Sequence, residues 1–408
     1  MRSLAVLSLH TSPLAQPGAG DSGGMNVYVR ELVSALAQAG VKSNVYVRRW
    51  SDDLPDTVDV EPGFRVVHVP AGPVDLVKEK LPEVVDEYTE WVGDHLRREG
   101  DTDAIHANYW LSGLAGHRLK HQLSLPLVST FHTLARVKAE TGDPEPDRRV
   151  EAEMEVIACS DAILASCPAE VAQLVSLYGA RPERIEIVPP GVDHAFFSPG
   201  DQRGARQALA PLGLGDHPVL LFVGRIQPLK GVDVAVRALH ELSTAHPDAM
   251  LVIVGGASGL DGPAEQVRVR RLVDELGLSD RVRFVDPQPH HLLSTYYRAA
   301  DACIVPSRSE SFGLVALEAA ACGTPVVAAD VGGLSTLVDH GRTGLLVDSR
   351  EPAEYADALA SILDDPLGAD EMSVAAAIKA RSYTWSTTAA RLRRLYADLT
   401  ARSLVECR

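Results

Sequence analysis

Short apolar runs alternate with amphipathic, helix-patterned stretches along most of the chain, and this alternation constrains its fold more than any other feature. In the first half the apolar runs lie at 4–9, 43–47, 65–69, 104–106, 127–130, 162–166 and 185–188. In the second half they lie at 219–223, 250–254, 281–285, 302–305 and 325–328. Short β-branched strands separated by helices are typical of parallel sheets covered on both faces, so the pattern predicts doubly wound α/β structure.

The alternation is interrupted once, by the turn-rich stretch Val188-Pro189-Pro190-Gly191. From about residue 352 to 404 the pattern is helical and contains no strand. The sequence therefore predicts one α/β domain over residues 1–190, a second over 191–385, and a C-terminal helix over 386–408 that packs back on the first domain. Open α/β sheets bind ligands at the carboxyl ends of their strands, so we expect an interdomain cleft with a substrate on each side.

Charge and apolar content limit the function classes. The formal net charge of -16, from 39 basic and 55 acidic side chains, argues against nucleic acid or an anionic membrane as the main partner. No apolar run approaches the ~18 residues that a membrane span needs, and the first one ends at Leu9 without the features of a signal peptide. We therefore expect a cytoplasmic protein that acts on small molecules.

Five cysteines stand at 159, 167, 303, 322 and 407. Their spacing suits neither a zinc site nor a disulfide framework, and the sequence predicts reduced, buried thiols.

A glycine-rich loop, Gly18-Ala19-Gly20-Asp21-Ser22-Gly23-Gly24, joins the first strand to the first helix. Glycines allow the backbone to approach a ligand, and a helix N-terminus favours anions. The loop lacks the G-x-G-x-x-G spacing, which argues against a dinucleotide site. A tight turn without a ligand stays open as the alternative.

Two further groups follow strands of the second half. Arg225 and Lys230 lie on the loop after the 219–223 run, where two cations could hold a diphosphate; two solvated surface cations are the alternative. Glu310 and Glu318 are separated by seven residues, and Glu318 is predicted to lie inside a helix. The start of that helix could hold phosphate or sugar oxygens while a carboxylate binds the vicinal hydroxyls of a ribose; exposed acids on a capped helix are the alternative.

The spacing of Glu310 and Glu318, together with Arg225 and Lys230, resembles the E-x7-E motif and the diphosphate clamp of retaining glycosyltransferases of family 4. The resemblance extends over nearly the whole chain. It implies the GT-B fold, in which an N-terminal Rossmann-like domain binds the acceptor and a C-terminal one binds the nucleotide sugar. It also implies a UDP-sugar as co-substrate and no metal or other cofactor in catalysis.

Within that family, the stretch from His10 to Val27 is most similar to members that transfer N-acetylglucosamine from its UDP derivative to 1D-myo-inositol 3-phosphate in mycothiol biosynthesis. The resemblance implies that Arg225 and Lys230 hold the two phosphates, that Glu310 and His132 contact the donor sugar, and that Glu318 binds the ribose.

The catalytic residues that the resemblance implies are Arg225, Lys230, Glu310 and His132. Further implied donor contacts are Gln16, Pro17, Gly24, Gln288, Ser311, Phe312, Gly313, Leu314 and Glu318. Implied acceptor contacts are His10, Asp21, Ser22, Gly23, Met25, Asn26, Lys78, Tyr109, Thr133 and Arg148. A structural cation such as Mg²⁺ is implied near Tyr297, Arg298, Ala300 and Thr324.

Two departures leave the substrates open. The segment between Thr133 and Arg148 is shorter than in the similar members, and Gln288 stands where they usually have an arginine. An aminocyclitol or a sugar phosphate is therefore an alternative acceptor, and glucose an alternative donor sugar. His132 as a structural histidine, Arg148 as half of a solvated pair with Arg149, a homodimer, a non-catalytic nucleotide-sugar-binding protein and an epimerase of the same fold also stay open.

Overall fold

The computed structural model describes residues 2–18, 20, 22–259 and 262–407, and the chain divides into two compact units. The first unit comprises the described residues of Met1–Ala15, Met25–Pro190 and Trp385–Arg408. The second comprises those of Gln16–Gly24 and Gly191–Thr384.

The first unit contains an eight-stranded sheet in the order β3-β4-β2-β1-β5-β6-β7-β8. Its strands are β1 (Ser3–Leu7), β2 (Lys42–Arg48), β3 (Thr57–Glu61), β4 (Phe64–Val69), β5 (Ala104–Asn108), β6 (Leu127–Thr130), β7 (Ala162–Ala165) and β8 (Ile185–Ile187). The β3–β4 pair is antiparallel and the other pairs are parallel. Every residue of β1 is buried, as expected of a central strand covered by helices on both faces.

Helices cover this sheet and connect its strands. They are α1 (Gly24–Gln38), α2 (Val85–Glu99), α3 (Trp110–Leu123), α4 (Ala135–Glu140), α5 (Asp147–Cys159) and α6 (Pro168–Tyr178). Short 3₁₀ helices lie at Lys78–Val84 and Pro182–Arg184.

The second unit contains a six-stranded, all-parallel sheet in the order β11-β10-β9-β12-β13-β14. Its strands are β9 (Val219–Val223), β10 (Met250–Val254), β11 (Val282–Val285), β12 (Ala302–Val305), β13 (Val326–Ala329) and β14 (Gly344–Val347). Its helices are α7 (Gln202–Ala208), α8 (Val232–Leu242), α9 (Gly262–Glu275), α10 (Leu293–Ala299), α11 (Leu314–Ala321), α12 (Leu334–Leu337), α13 (Pro352–Asp364) and α14 (Pro366–Ala380). Short 3₁₀ helices lie at Ala210–Leu212, Pro228–Lys230 and His290–Leu292.

The last helix, α15 (Trp385–Thr400), belongs to the first unit. Its residues Leu392 and Tyr396 are fully buried in the core on one face of the eight-stranded sheet. The Tyr396 hydroxyl also lies 2.7 Å from Nδ1 of His106 on β5. Apolar burial and a buried hydrogen bond together hold the end of the chain on the first sheet.

The predicted doubly wound, parallel architecture with helices at the C-terminal end is confirmed in both units. The structure adds two strands that the sequence analysis did not predict. Strand β3 alternates polar and apolar residues at an exposed sheet edge, so it lacks the continuous apolar run of a central strand. Strand β14 is a four-residue edge strand that directly follows a turn at Gly341.

The prediction of reduced thiols is wrong for two of the five cysteines. The structure joins Cys159 and Cys407 in a disulfide, although 248 residues separate them. The segment after α15 returns along the first unit and brings Cys407 beside the end of α5, a proximity that sequence spacing cannot reveal. The other cysteines, Cys167, Cys303 and Cys322, are buried and form no disulfide within the described part of the chain, as predicted.

None of the described helices is both long enough and apolar enough to cross a lipid bilayer.

Candidate active site

In the second unit, the loop after β9 packs against the loop after β12 through backbone contacts. Gly231 has a φ of +68°, and a Cβ there would lie 2.2 Å from the carbonyl oxygen of Pro306. The Arg308 N–H donates to the carbonyl oxygen of Leu229 at 2.8 Å. Only glycine allows the backbone at position 231 to come this close to Pro306. Gly231, directly after Lys230, therefore fixes where the loop after β9 meets the loop after β12.

This packing brings Lys230 and Glu310 together. The Lys230 ammonium donates to Oε2 of Glu310 at 2.6 Å, and each side chain keeps about a fifth of its surface exposed (22% and 19%). The Ser307 hydroxyl donates to the same oxygen at 3.4 Å. A charge-assisted hydrogen bond of this length is strong, and its partial exposure leaves both groups within reach of a ligand.

Two glycines hold the backbone around Glu310. The Gly333 N–H donates to the Glu310 carbonyl oxygen at 3.0 Å. Gly332 has a φ of +52°, and a Cβ there would lie 2.0 Å from that oxygen. The Glu310 loop therefore depends on an adjacent turn that only glycine can form.

Helix α11 begins directly after Gly313, whose φ is +99°. Its first intrahelical hydrogen bond runs from Leu317 N–H to the Gly313 carbonyl. The preceding N–H groups of the first turn have no acceptor within the helix, and the positive end of the helix dipole lies there. Phe312, by contrast, is buried in the core, which leaves only its backbone for a ligand.

Glu318 lies on α11, is only 5% exposed, and binds two neighbours. Its Oε1 lies 2.7 Å from Nε2 of His290, and its Oε2 accepts the Tyr297 hydroxyl at 2.8 Å. Burial next to this carboxylate raises the pKa of Tyr297 well above its usual value, so the phenol is a permanent donor. Since a carboxylate has about four lone-pair positions, Glu318 keeps acceptor capacity for hydroxyl groups.

The segment Gln16–Gly24 belongs to the second unit, although it lies between β1 and α1 in the chain. The Gly256 N–H donates to the Gly18 carbonyl at 3.1 Å, and a Cβ on Gly23 would lie 3.1 Å from Nε of Arg225. Arg225 also donates to the Ser258 hydroxyl at 3.3 Å. The glycines thus let this segment lie directly against the arginine.

The remaining predicted donor residues have varied surroundings. Gln16 and Gly24 are exposed, and Pro17, Gln288, Ser311 and Leu314 are half-buried; the predicted acceptor contact Ser22 in the same segment is also half-buried. The Gln288 amide donates to the carbonyl of Asp286 at 2.9 Å. The predicted acceptor contact Asp21 lies outside the described residues.

In the first unit, three of the other predicted acceptor residues follow the carboxyl ends of strands. Lys78 comes after β4, Tyr109 directly after β5, and Thr133 shortly after β6. The carboxyl ends of parallel strands lie at one edge of a sheet, which is where ligands bind in this architecture.

Arg149 and Arg148, at the start of α5, contact these residues. Arg148 is exposed and donates to the carbonyl of Glu79, the neighbour of Lys78, at 2.9 Å. Arg149 is buried, donates to the Thr133 hydroxyl at 2.9 Å, and lies over the Tyr109 ring at 4.9 Å from its centroid. Two adjacent arginines in a sequence do not reveal which one points inward, and only Arg148 is a predicted site residue.

The carboxylates of Glu153 and Glu145 neutralise Arg149. Its Nε donates to Oε1 of Glu153 at 2.8 Å, and its Nη1 donates to Oε1 of Glu145 at the same distance. The Arg149 and Lys138 cations lower the pKa of the Glu145 carboxyl against the opposing effect of its burial. Arg149 is therefore a buried structural cation, whereas Arg148 keeps an exposed guanidinium.

Two residues at this edge have left-handed backbone conformations that are rare for side chains other than glycine. Tyr109 has a φ of 75° and His132 a φ of 62°. Their neighbours are His10, whose ring lies 4.3 Å from that of Tyr109, and Asn108, whose Oδ1 lies 2.9 Å from Nε2 of His132. Such strain is concentrated at functional sites.

His132 is a neutral imidazole at physiological pH, because burial lowers its pKa to about 3 and the neighbouring His106 adds to the effect. Asn108 presents a further polar group that the sequence analysis missed. Among the described residues its buried Nδ2 has no hydrogen-bond partner. A buried donor without a partner beside two strained residues is a candidate ligand contact.

Asn26 and Met25 pack within the first unit. The Asn26 amide is buried and donates to Thr11 Oγ1 at 2.6 Å and to the Ser12 carbonyl at 2.5 Å. Met25 is half-buried against the core. The Asn26 side chain thus anchors the loop after β1.

The residues predicted to surround a structural cation do cluster in the second unit. The Thr324 hydroxyl donates to the Tyr297 carbonyl at 2.7 Å, and Gln202 donates to the Ala300 carbonyl at 3.3 Å. The Arg298 guanidinium is directed to the carbonyl of Ser198 at 2.8 Å. The cation itself stays a prediction.

Comparisons with known proteins give one consistent family. The model described as Glycosyltransferase Family 4 matches residues 22–196, and the model described as Glycosyl transferases group 1 matches residues 208–382. The chain is 47% identical to a D-inositol 3-phosphate glycosyltransferase of Acidothermus cellulolyticus, covering 98% of this chain and 91% of that protein. It is 46% identical to D-inositol 3-phosphate glycosyltransferase 2 of Catenulispora acidiphila, covering 100% and 96%.

A solved structure is similar over the same extent. The sucrose-phosphate synthase of Thermosynechococcus elongatus is 34% identical, superimposes with a TM-score of 0.91, and covers 98% of this chain and 100% of its own.

Proposed function

We propose that the chain transfers N-acetylglucosamine from UDP-N-acetylglucosamine to 1D-myo-inositol 3-phosphate. It belongs to the family 4 glycosyltransferases, which include the D-inositol 3-phosphate glycosyltransferases. That it is a glycosyltransferase of GT-B fold follows from the family. The acceptor, the donor and the stereochemical outcome are the proposal.

The proposed donor site lies in the second unit. Arg225, Lys230 and the first turn of α11 would hold the diphosphate, because they supply two cations and a set of N–H groups. Glu318 would accept the ribose hydroxyls with the lone pairs that His290 and Tyr297 leave available. Glu310 would accept a hydroxyl of the transferred sugar.

The proposed acceptor site lies in the first unit. Its support is the exposed Arg148 beside the Lys78 segment at the carboxyl ends of the strands. A phosphate needs such cations with exposed donors, and buried Arg149 would orient Arg148 and Thr133 without contacting the phosphate itself. The single observation that carries the choice of inositol phosphate is the near full-length similarity to proteins of that name.

In the proposed reaction, the bond between the anomeric carbon and the diphosphate oxygen breaks, and a bond from that carbon to an inositol hydroxyl forms on the same face. The hydroxyl proton passes to the departing UDP, and bond formation on the face that UDP leaves retains the configuration. Negative charge develops on the leaving phosphate, where Arg225, Lys230 and the α11 N-terminus would stabilise it.

A sugar phosphate is the second candidate acceptor, favoured by the similarity to a sucrose-phosphate synthase. Both candidate acceptors are tested by measuring UDP release in three reactions: with inositol 3-phosphate, with a hexose 6-phosphate, and without an acceptor. The proposal predicts the largest kcat/KM with inositol phosphate. A larger value with the hexose phosphate would replace it with the second candidate, and no acceptor-dependent release from UDP-N-acetylglucosamine or UDP-glucose would contradict both.

A further inference from the structure

Two histidines and two cysteines from three separate parts of the sequence meet in the first unit. His117 and His121 lie on α3, Cys159 ends α5, and Cys407 follows α15. One ligand atom of each lies within 4.8 Å of all the others. Nε2 of His121 lies 3.1 Å from Sγ of Cys407, and Nε2 of His117 lies 3.6 Å from it.

These distances approach those of a tetrahedral zinc site. With Zn–S bonds of about 2.3 Å and Zn–N bonds of about 2.0 Å, neighbouring ligand atoms lie roughly 3.3–3.8 Å apart. The sulfurs of Cys159 and Cys407 form a disulfide here, so zinc would require their reduction and separation to such a distance. Cys407 lies outside any helix or strand, so moving its sulfur breaks no helix or strand hydrogen bond at that residue.

The spacing of the two histidines also fits a metal site. His117 and His121 are four residues apart on α3, so they lie on one face of the helix. Nδ1 of His117 lies 2.7 Å from Oε1 of Glu155, which leaves its Nε2 directed at the sulfur. A carboxylate on the second ring nitrogen is the usual way in which proteins orient a zinc-binding histidine.

Buried hydrogen bonds hold both cysteine segments. The Lys120 ammonium donates to the Cys159 carbonyl at 2.7 Å and lies 2.9 Å from Oδ2 of Asp161. Oδ1 of Asp161 accepts the Val405 N–H at 2.6 Å, two residues before Cys407. The backbone is therefore built to bring these two thiols to the histidines.

We propose that His117, His121, Cys159 and Cys407 bind one Zn²⁺ when the two cysteines are reduced. Two molecules of a low-molecular-weight thiol would reduce the disulfide and leave as their own disulfide, and zinc would then displace the two cysteine protons. A disulfide alone requires no imidazole, whereas this set of two thiolates and two imidazoles is typical of structural zinc sites. With four protein ligands and no open position, the zinc would hold residues 401–407 on α3 and α5.

The test uses the full chain, reduced with a phosphine, stripped with a chelator and titrated with Zn²⁺ against a chromophoric competitor. We expect one tightly bound zinc per reduced chain and none per oxidised chain. His121→Gln and Cys407→Ser should weaken binding at least tenfold, since outer partners alone change metal affinity by 10–100-fold. His240→Gln, at an exposed position of α8, and Cys167→Ala should bind as the unaltered chain does.

Cobalt substitution keeps the test decisive if a variant folds poorly. The unaltered reduced chain with Co²⁺ should show the intense absorption of a tetrahedral site and a thiolate-to-cobalt charge-transfer band, and Cys407→Ser should lose most of that band. Equal zinc binding by the oxidised chain, equal binding by His121→Gln and Cys407→Ser, or no zinc binding by the folded, reduced chain would each overturn the proposal.

Discussion

The Lys230 ammonium lies 2.6 Å from the Glu310 carboxylate, and this ion pair joins the loops that follow β9 and β12. The two residues are 80 positions apart, and both belong to motifs that the sequence analysis selected. The pair is partly exposed, so it can exchange its internal bond for contacts to a diphosphate and a sugar.

Replacing the cations should therefore reduce turnover. We expect Arg225→Ala and Lys230→Ala each to lower kcat by roughly 10² or more, by analogy with the loss of one donor from an oxyanion hole. Steady-state UDP release measures this, with the exposed Arg271 of α9, changed to alanine, as the matched control. Near-normal turnover in both variants would contradict the assigned role of the cations.

The adjacent arginines of α5 should behave differently. Arg148→Ala should raise KM for the acceptor phosphate by roughly 10–100-fold, the loss expected for a hydrogen bond to a charged group, with little change in stability. Arg149→Ala should instead destabilise the first unit by about 3–5 kcal/mol, because it leaves the buried Glu153 carboxylate without the cation that balances its charge. The KM for the acceptor reports the effect of Arg148→Ala, and denaturant unfolding reports that of Arg149→Ala. Arg181→Ala, at an exposed position, serves as the control for both measurements. The reverse pattern would contradict this assignment.

Two glycines with left-handed backbone test the Glu310 loop. Gly332→Ala would place a Cβ 2.0 Å from the Glu310 carbonyl, whereas at Gly341, with a similar positive φ, no atom lies within 4 Å. Gly341→Ala should cost only the conformational strain, about 1–2 kcal/mol, with turnover unchanged. Gly332→Ala should be less stable and also lose turnover. Thermal unfolding and UDP release compare the two variants. Equal effects of both substitutions would contradict the prediction, because the clash at Gly332 would then be relieved without moving the Glu310 loop.

Acid should destabilise the first unit. Burial lowers the pKa of His106 to about 3, well below the value near 6.5 in an unfolded chain. Between these values the unfolded state binds more protons, so the free energy of unfolding falls as the pH falls, by up to about 1.4 kcal/mol per pH unit for this histidine. His106→Gln should reduce that dependence, and His240→Gln should not.

Tryptophan fluorescence measures this pH dependence in the first unit alone, since all four tryptophans, at 50, 91, 110 and 385, lie there. The same slope in the unaltered chain and in His106→Gln would contradict the buried, neutral state of His106.

The sequence predicted much of the fold and of the donor site because their signals are local. Glu310 and Glu318 were placed correctly around the start of α11, since strand, glycine and helix follow one another within a few residues. The family predicted from this spacing is confirmed by the near full-length relatives. The roles of the individual site residues stay predictions.

What the sequence did not predict depends on distant contacts. His290 and Tyr297 bind Glu318 from 28 and 21 residues away, and Cys159 and Cys407 meet across 248. The inward direction of Arg149 follows from the packing of α5 against Thr133 and Glu153, which a charge pair in the sequence does not encode. Tertiary packing, not local pattern, decides each of these.

The most direct test of the account is to identify the product formed from UDP-N-acetylglucosamine and 1D-myo-inositol 3-phosphate. Mass spectrometry should show a phosphorylated N-acetylglucosaminyl-inositol in amounts equal to the UDP released. The proton coupling at the anomeric carbon should show that this carbon keeps the α configuration of the donor. A β-linked product would contradict retention, and UDP release that yields only free N-acetylglucosamine would contradict transfer to inositol phosphate.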